Sequence, residues 1–238
     1  RRGGESVYEQ SMLGLANCTR NRLVTGVCTS VCKSNIDDLA SEKFVNDIAT
    51  LGAHYLWYYI YRPVGPNPAP ELALNSEQVT ELRRFMVDIR RTAPLMVVDA
   101  YWDDKGRALC PAAVGMANHI SPEGYIEPCP PLQFAKENIG DGTGLFDIFN
   151  QSDFLAKFRT MCCETTQGCI IMEHPETLSG FIKAEDAIDS SGRGTFLDEL
   201  GGMCACGSHH QPGKEIPERS WAYRFAKKNW FFGFGAYG

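Results

Sequence analysis

The sequence predicts an α/β fold followed by a smaller, cysteine-rich α+β domain. Up to about residue 104, segments with helical periodicity alternate with short apolar segments, an order typical of parallel strands joined by helical crossovers. Beyond residue 105 glycine, proline and cysteine become frequent and the periodicity weakens. That composition is typical of a small domain supported by bound metal. A chain of 238 residues is long enough to form both parts.

The elements of the first part follow from apolar periodicity and from capping residues. Asn35 and Asn75 (or Ser76) stand where helix caps belong, Ser6 or a neighbour caps the first helix, and Gly52 stops the second. Prolines between residues 63 and 70 mark a loop. The predicted helices cover residues 5–17, 35–50 and 75–91, and the predicted strands cover residues 22–31, 54–61 and 95–101.

The second part contains fewer regular elements. Helices are expected at residues 144–159 and 176–187, and a hairpin is expected to turn at Glu123 and Gly124. The predicted organisation is therefore residues 1–104 as an α/β part, residues 105–200 as the cysteine-rich domain, and residues 201–238 as a Cys/His-containing and aromatic tail.

Composition and motifs exclude several functional classes. The formal charge of −6 disfavours a nucleic-acid partner, because phosphate binding uses clustered Lys and Arg. No apolar run approaches the roughly 20 residues that span a bilayer, so no transmembrane segment is expected. The sequence has no Gly-x-Ser-x-Gly, phosphate-loop or His-Glu-x-x-His motif, so hydrolase chemistry is not expected.

The ten cysteines are the strongest compositional signal. A secreted protein could use them as disulfides, but a core of this size needs few such links, and their spacing is uneven. The chain also begins Arg1-Arg2-Gly3-Gly4 with no export signal. We therefore expect reduced thiols, a cytoplasmic location and metal binding, and we expect the chain to be the later part of a longer protein.

One constellation of cysteines carries the chemistry. Cys110 is followed by Gly124 and, after four intervening residues, by Cys129, and further along come the adjacent pair Cys162-Cys163 and then Cys169. The hairpin at Gly124 would bring the first two thiols together. Four converging thiolates suit a cubane iron–sulfur cluster, and they also suit structural zinc. A single cysteine is commonly a buried, unligated core residue, but that explanation does not suit a group of four or more clustered cysteines.

The pattern Cys110, Gly124-x4-Cys129 and a later cysteine resembles the SPASM and shorter twitch extensions that follow radical SAM barrels. The first part resembles the end of such a barrel. Residues 2–6 resemble the stretch after the fourth strand, residues 24–31 and 35–39 resemble the fifth strand and its helix, and residues 51–53, Pro63-Val64-Gly65 and residues 74–78 resemble the sixth unit. The likeness covers residues 1 to about 175.

The resemblance implies the C-terminal part of a partial (β/α)6 barrel followed by a SPASM- or twitch-like domain with an auxiliary 4Fe-4S cluster. The parent enzyme would cleave S-adenosylmethionine reductively and abstract hydrogen from a substrate, with a peptide or protein as the first candidate, and would draw electrons from a reductant such as flavodoxin or ferredoxin. Arg2 would meet the carboxylate of S-adenosylmethionine. Thr29 and Gly65 would lie beside its nucleoside.

Two departures from the family pattern limit that expectation. The Cys-x3-Cys-x2-Cys loop of the catalytic cluster is absent, since Cys28-x3-Cys32 continues to Asn35 and falls on a predicted strand. The complete Cys-x2-Cys-x5-Cys-x3-Cys run of SPASM domains is also absent. We therefore expect one auxiliary cluster, no catalytic residue identifiable in this chain, and no activity from the chain alone.

The ligands expected for that cluster are Cys110, Cys129 and Cys169, with a fourth that the sequence leaves open among Cys162, Cys163, Cys204 and Cys206. Cys204, Cys206, His209 and His210 have zinc-like ligand density, so a non-catalytic zinc-binding module is the alternative function. Three acidic residues follow the third strand and are expected mainly as solvated turn acids: Asp99, Asp103 and Asp104.

Overall fold

The protein is represented by a computed structural model that describes residues 6–231. Its helices are α1 Val7–Arg20, α2 Ile36–Leu39, α3 Glu42–Thr50, α4 Ser76–Ile89, α5 Leu145–Gln151, α6 Asp153–Thr165, α7 Ile170–Glu173, α8 Pro175–Ala184, α9 Phe196–Gly201 and α10 Trp221–Ala226. Its strands are β1 Gly26–Val31, β2 Tyr55–Ile60, β3 Met96–Val98, β4 His119–Ile120, β5 Ile126–Glu127, β6 Phe134–Ala135 and β7 Ile188–Asp189. Short 3-10 turns lie at Pro70–Leu72 and Ile139–Asp141, and a π turn follows α10 at Lys227–Phe231.

The first part is built on a three-stranded parallel sheet in the order β1-β2-β3, as the alternation of helices and strands predicted. In that register Thr29 of β1 lies opposite Tyr58 of β2, and Leu56 lies opposite Val97 of β3. These side chains belong to the face that the helices cover, and Tyr58 on that face is fully buried.

The opposite face of the same sheet is open. Cys28 and Ser30 of β1 are exposed, and so are Tyr59 of β2 and Met96 of β3. Trp57 lies beside them and stacks on Tyr59 with a ring-centroid distance of 5.3 Å. Because parallel sheets are ordinarily covered on both faces, an aromatic open face is unusual.

Capping residues decide where the helices of the first part begin. Asn75 forms a reciprocal capping box with Gln78 at the start of α4, as predicted. The single helix expected at residues 35–50 is instead two helices, because the Ser41 hydroxyl accepts the backbone N–H of Phe44 and starts α3. Ser6 occupies the N-cap position of α1, as predicted, but its side chain makes no capping hydrogen bond.

The second part consists of short elements around its own hydrophobic cluster. Strands β4 and β5 form the predicted hairpin, with Gly124 at a φ of 87° in its turn. The helix expected at residues 144–159 is divided into α5 and α6, because Ser152 caps a new start by accepting the backbone N–H of Leu155. Strands β6 and β7 pair in antiparallel fashion and join residues that are 53 and 55 positions apart in sequence.

The buried apolar residues fall into two clusters. One contains the helix-covered side of the parallel sheet and reaches Trp102, and the other begins at Ala112 and contains the side chains of α6, α7 and α8. Val64, in the loop after β2, packs on the second cluster. The loop after β2 therefore touches the core of the cysteine-rich part.

The C-terminal segment packs back on the first part through buried charges. Asp99, at the end of β3, lies in a group with Arg83, Arg90, Glu218 and Lys227, all of them buried. The expectation that Asp99 is a solvated turn acid was therefore wrong. The guanidinium of Arg90 and the ammonium of Lys227 both contact its carboxylate.

Asp103 is also buried, against the same expectation. Its carboxylate accepts the backbone N–H groups of Lys105 and Arg107 at 2.9 and 2.8 Å and pairs with the Arg107 guanidinium at 2.6 Å. Asp104 is only partly exposed, and its backbone carbonyl accepts the N–H of Glu218. These acids shape the turn after β3 and hold the C-terminal segment against it.

Candidate metal centre

Four cysteine thiols from separate segments lie close to one another. Cys110 follows the turn after β3, Cys129 follows β5, Cys162 is in α6, and Cys169 immediately precedes α7. All four belong to or pack on the second hydrophobic cluster. Residues up to 59 positions apart in sequence thus contribute sulfur atoms to one region of the molecule.

The electrostatics of the group show that every thiol is near every other. Burial and then the neighbouring Cys169 raise the pKa of Cys110 to about 11. Burial, Cys110 and Cys169 raise the pKa of Cys129. Burial together with Cys110, Cys129 and Cys169 raises the pKa of Cys162. Each of the possible pairings within the four is therefore close enough for mutual repulsion between thiolates. A cation would relieve that repulsion.

Backbone amides already point at two of these sulfurs. The N–H groups of Ala112 and Ala113 donate to the Cys110 thiol, and the N–H of Leu132 donates to the Cys129 thiol. Tight turns after each cysteine direct these donors. Hydrogen bonds of this kind stabilise thiolates in metal sites and raise the reduction potentials of iron–sulfur clusters.

Helix geometry distinguishes the two adjacent cysteines of α6. Cys162 is 1% exposed and faces the other three thiols, whereas Cys163 is exposed and its thiol lies 3.6 Å from the carbonyl oxygen of Ala113. Consecutive residues on an α-helix point about 100° apart, so the two cannot face one site. Of the candidates for a fourth ligand, the structure brings Cys162 to the group and not Cys163.

The turn that presents Cys169 is held by a polar clamp, which we define as Thr166, Glu173, Ser208 and His210. The Glu173 carboxylate accepts hydrogen bonds from the hydroxyls of Thr166 and Ser208. The Ser208 hydroxyl in turn accepts the backbone N–H of Cys169 at 3.3 Å. His210 lies 3.2 Å from the Thr166 hydroxyl. The clamp fixes the backbone of the Cys169 turn from both sides.

Cys204, Cys206, His209 and His210 do not converge on one point. The His209 ring is buried between Tyr101 and Trp102 and contacts the Leu109 carbonyl oxygen at 3.0 Å. His210 belongs to the clamp, and Cys204 is exposed. Cys206 is partly buried, and its pKa is raised by burial and then by the neighbouring Cys169. The zinc-like spacing of this segment therefore does not correspond to a shared site in the structure.

Of the three residues expected at S-adenosylmethionine, the structure describes Thr29 and Gly65. Thr29 lies on the helix-covered face of the sheet, and its hydroxyl donates to the Trp57 carbonyl oxygen at 3.2 Å. The alternation of β1 places Cys28 and Ser30 on the open face of the sheet. Gly65 has a φ of 94° with open space around it, and Arg2 lies outside the described residues.

Four thiols are a donor set that both structural zinc and a cubane iron–sulfur cluster use. Four sulfurs around one zinc at about 2.3 Å would lie about 3.8 Å apart. Among residues 6–231 no group of three or more His, Cys, Asp or Glu side chains is arranged to hold one metal ion. In an iron–sulfur cubane each thiolate binds a different iron, so the sulfurs surround a larger volume.

Comparison of the chain with models of known protein families gives no match, and comparison with curated protein sequences gives none either. Within residues 6–231, no helix is both long and apolar enough to cross a lipid bilayer.

Arg62 is the residue of this region that the sequence analysis did not single out. It stands two positions after the end of β2, next to the Pro63-Val64-Gly65 turn, which the family resemblance places beside the nucleoside of S-adenosylmethionine. Its guanidinium hydrogen-bonds the Cys169 thiol and lies near Cys129. The available signal was a cation at the carboxyl end of a parallel strand, where barrel sites gather. Its partner is 107 positions away, so spacing gave no hint of the contact.

Proposed function

We propose that Cys110, Cys129, Cys162 and Cys169 bind one 4Fe-4S cluster. The observation that carries the proposal is that each of these thiols lies near all three others, in a group that backbone N–H donors also face. When bound, such a cluster supplies one-electron transfer or an open iron site. The protein residues orient the thiolates through the turn amides and keep water away with the apolar side chains of α6 and α7.

We further propose that the chain is the C-terminal part of a radical SAM enzyme, with this cluster as its auxiliary centre. The motif resemblance supports this assignment, as does the open face of the parallel sheet beside the cysteine group. In the whole enzyme that face would form the inner wall of the barrel. The enzyme would cleave S-adenosylmethionine and abstract hydrogen from a peptide or protein, with electrons from a flavodoxin or ferredoxin. Reduced thiols favour a cytoplasmic location.

Alkylation of Cys28 can test the barrel proposal, because this thiol is exposed on the open face of the sheet. In the present chain a bulky maleimide should alkylate Cys28 readily. In a longer chain that includes the upstream coding sequence, Cys28 should be protected, as peptide mass spectrometry would detect. Equal alkylation of Cys28 in a folded longer chain would contradict the barrel arrangement.

The cluster itself is tested by anaerobic reconstitution of the chain with iron and sulfide. We expect a brown protein that absorbs near roughly 400 nm and holds about four iron and four sulfide per chain. The alternative function, a zinc-binding interaction module, predicts a colourless protein with about one zinc per chain. Parallel metal analysis of the protein purified without air separates the two, and zinc without iron would overturn the proposal.

A further inference from the structure

Arg62 bridges the parallel sheet and the cysteine group. Its guanidinium lies over the ring of Tyr101 with its carbon 5.4 Å from the ring centroid, a cation–π geometry. From that position it hydrogen-bonds the Cys169 thiol and lies close to Cys129. On its other side it neighbours Tyr59, which belongs to the open face of the sheet.

Within the part of the chain that the structure describes, no carboxylate balances the charge of Arg62. Among residues 6–231 no Asp or Glu side chain forms an ion pair with its guanidinium, although the residue is partly buried. Arginine cannot lose its proton in a protein, so the positive charge is permanent. A partly desolvated cation is stabilised when it lies against negative charge. The groups that lie beside it are the thiols of Cys169 and Cys129, which would become anionic thiolates on binding a cluster.

We propose that Arg62 raises the reduction potential of the cluster held by the four cysteines, an inference that rests on the proposed function. A four-thiolate cluster carries net negative charge, and its charge becomes more negative when it accepts one electron from a flavodoxin- or ferredoxin-type reductant. No bond is made or broken in that step and no proton moves. A fixed positive charge beside Cys169 stabilises the reduced state more than the oxidised state, so reduction becomes easier.

Hydrogen bonding acts in the same direction as the charge. The guanidinium N–H donates to the Cys169 sulfur, and donors to cluster sulfurs are among the features that set cluster potentials. The ring of Tyr101, which is 2% exposed, and the loop through Val64 hold the guanidinium in place. Arg62 is thus a positioning and electrostatic residue, and it need not contact a substrate for this role.

The experiment compares reconstituted wild-type protein with Arg62→Gln, Arg62→Lys and the control Arg193→Gln. Arg193 is exposed and pairs with Glu199 in the same cysteine-rich part, so its substitution removes an equal charge from an exposed ion pair. Midpoint potentials are measured by dithionite titration followed by electron paramagnetic resonance. Arg62→Gln should shift the potential to a more negative value, Arg62→Lys should restore most of the shift, and Arg193→Gln should match wild type.

The outcomes separate this inference from the proposed function. If wild-type protein binds no iron–sulfur cluster, the proposed function fails. If the clusters form and Arg62→Gln has the wild-type potential, the role of Arg62 is overturned while the cluster stands. If both Arg62 variants lose the cluster and Arg193→Gln retains it, Arg62 serves assembly of the site and the inference about potential is also overturned.

Discussion

At the scale of single residues, Cys162 and Cys163 show that sequence spacing alone does not identify the fourth cysteine of the group. The sequence supplied four candidates for the fourth ligand, because a pattern of intervals does not say which way a helix faces. In the structure α6 turns Cys162 into the apolar interior and leaves Cys163 in solvent. The side of the helix that packs on the hydrophobic cluster decides between them, and that side depends on contacts with distant residues.

We expect Cys162→Ser to abolish cluster binding and Cys163→Ser to leave it intact. The two changes are chemically identical and one residue apart, so each controls for the other. After anaerobic reconstitution, the Cys162 variant should lose most of its iron and its visible absorption, because a serine hydroxyl is a poor substitute for a thiolate. Retention of the full cluster by Cys162→Ser, or its loss in Cys163→Ser, would contradict the ligand set.

His209 is a second residue whose environment the sequence did not reveal. Its ring packs between Tyr101 and Trp102, and its Nε2–H donates to the Leu109 carbonyl oxygen at 3.0 Å. Burial lowers the pKa of His209 to about 3, whereas an unfolded histidine titrates near about 6.5. At mildly acidic pH the His209 ring is therefore protonated in the unfolded chain but stays neutral in the folded chain.

The expected result is a loss of stability on acidification. As the pH falls below about 6.5, His209 should lower the free energy of unfolding by about 1.4 kcal/mol per pH unit, until the pH nears the folded-state value. His209→Gln keeps a donor for Leu109 and should flatten this slope. Denaturant unfolding of the metal-free chain at pH 7 and pH 5 measures it. His54→Gln, a change at an exposed histidine, should retain the wild-type slope.

At the scale of elements, local signals predicted the strands and most helices but not their interruptions. Asn75 and Gln78 form the capping box at the start of α4, a run with β-branched residues indicated β1, and an apolar, largely aromatic run indicated β2. The breaks at Ser41 and Ser152 were missed because apolar periodicity continues across them, while the serine hydroxyls compete as caps. Helix α7 was not predicted because its four residues are too few to show a helical period.

The turn between α6 and α7 should tolerate no side chain at Gly168. A Cβ there would lie 2.3 Å from both the Glu173 carboxylate and the Ser208 hydroxyl, which belong to the polar clamp. Gly168→Ala should therefore lower the free energy of unfolding by about 1–3 kcal/mol and weaken iron retention by displacing Cys169. Gly180 in α8 has open space around it, so Gly180→Ala should stabilise the helix by about 0.5–1 kcal/mol. Similar effects of both changes would refute the clamp.

At the scale of the whole molecule, the contacts that the sequence could not predict are those between distant charged residues. Cysteine clustering was predictable because few other arrangements suit so many thiols. Arg62 with Cys169, and Arg83 with Glu218, join residues more than 100 positions apart without any sequence period to reveal them. Asp99 was misjudged for the same reason, since its partners include Lys227 from the C-terminal segment. Burial of such charges is a property of the assembled fold.

The buried charge group gives a prediction for the stability of the whole chain. The Glu218 carboxylate accepts hydrogen bonds from the guanidinium groups of Arg83, at 2.8 Å, and Arg90. It also lies 3.4 Å from the Lys227 ammonium. Glu218→Gln keeps the side-chain volume but removes one of the two carboxylates that these three cations share, and Asp99 is the other. Removing one member of a buried ion pair typically costs about 3–5 kcal/mol, because the remaining charge is desolvated and uncompensated.

We therefore expect Glu218→Gln to lower the free energy of unfolding by about 3–5 kcal/mol in urea titrations. Asp88→Asn breaks the ion pair with Arg219, whose side chain is 57% exposed, and should change it by about 0.5 kcal/mol or less. The contrast isolates burial, since both changes turn a carboxylate into an amide. If Glu218→Gln were as mild as Asp88→Asn, the C-terminal segment would not be held against α4 and β3 by these charges.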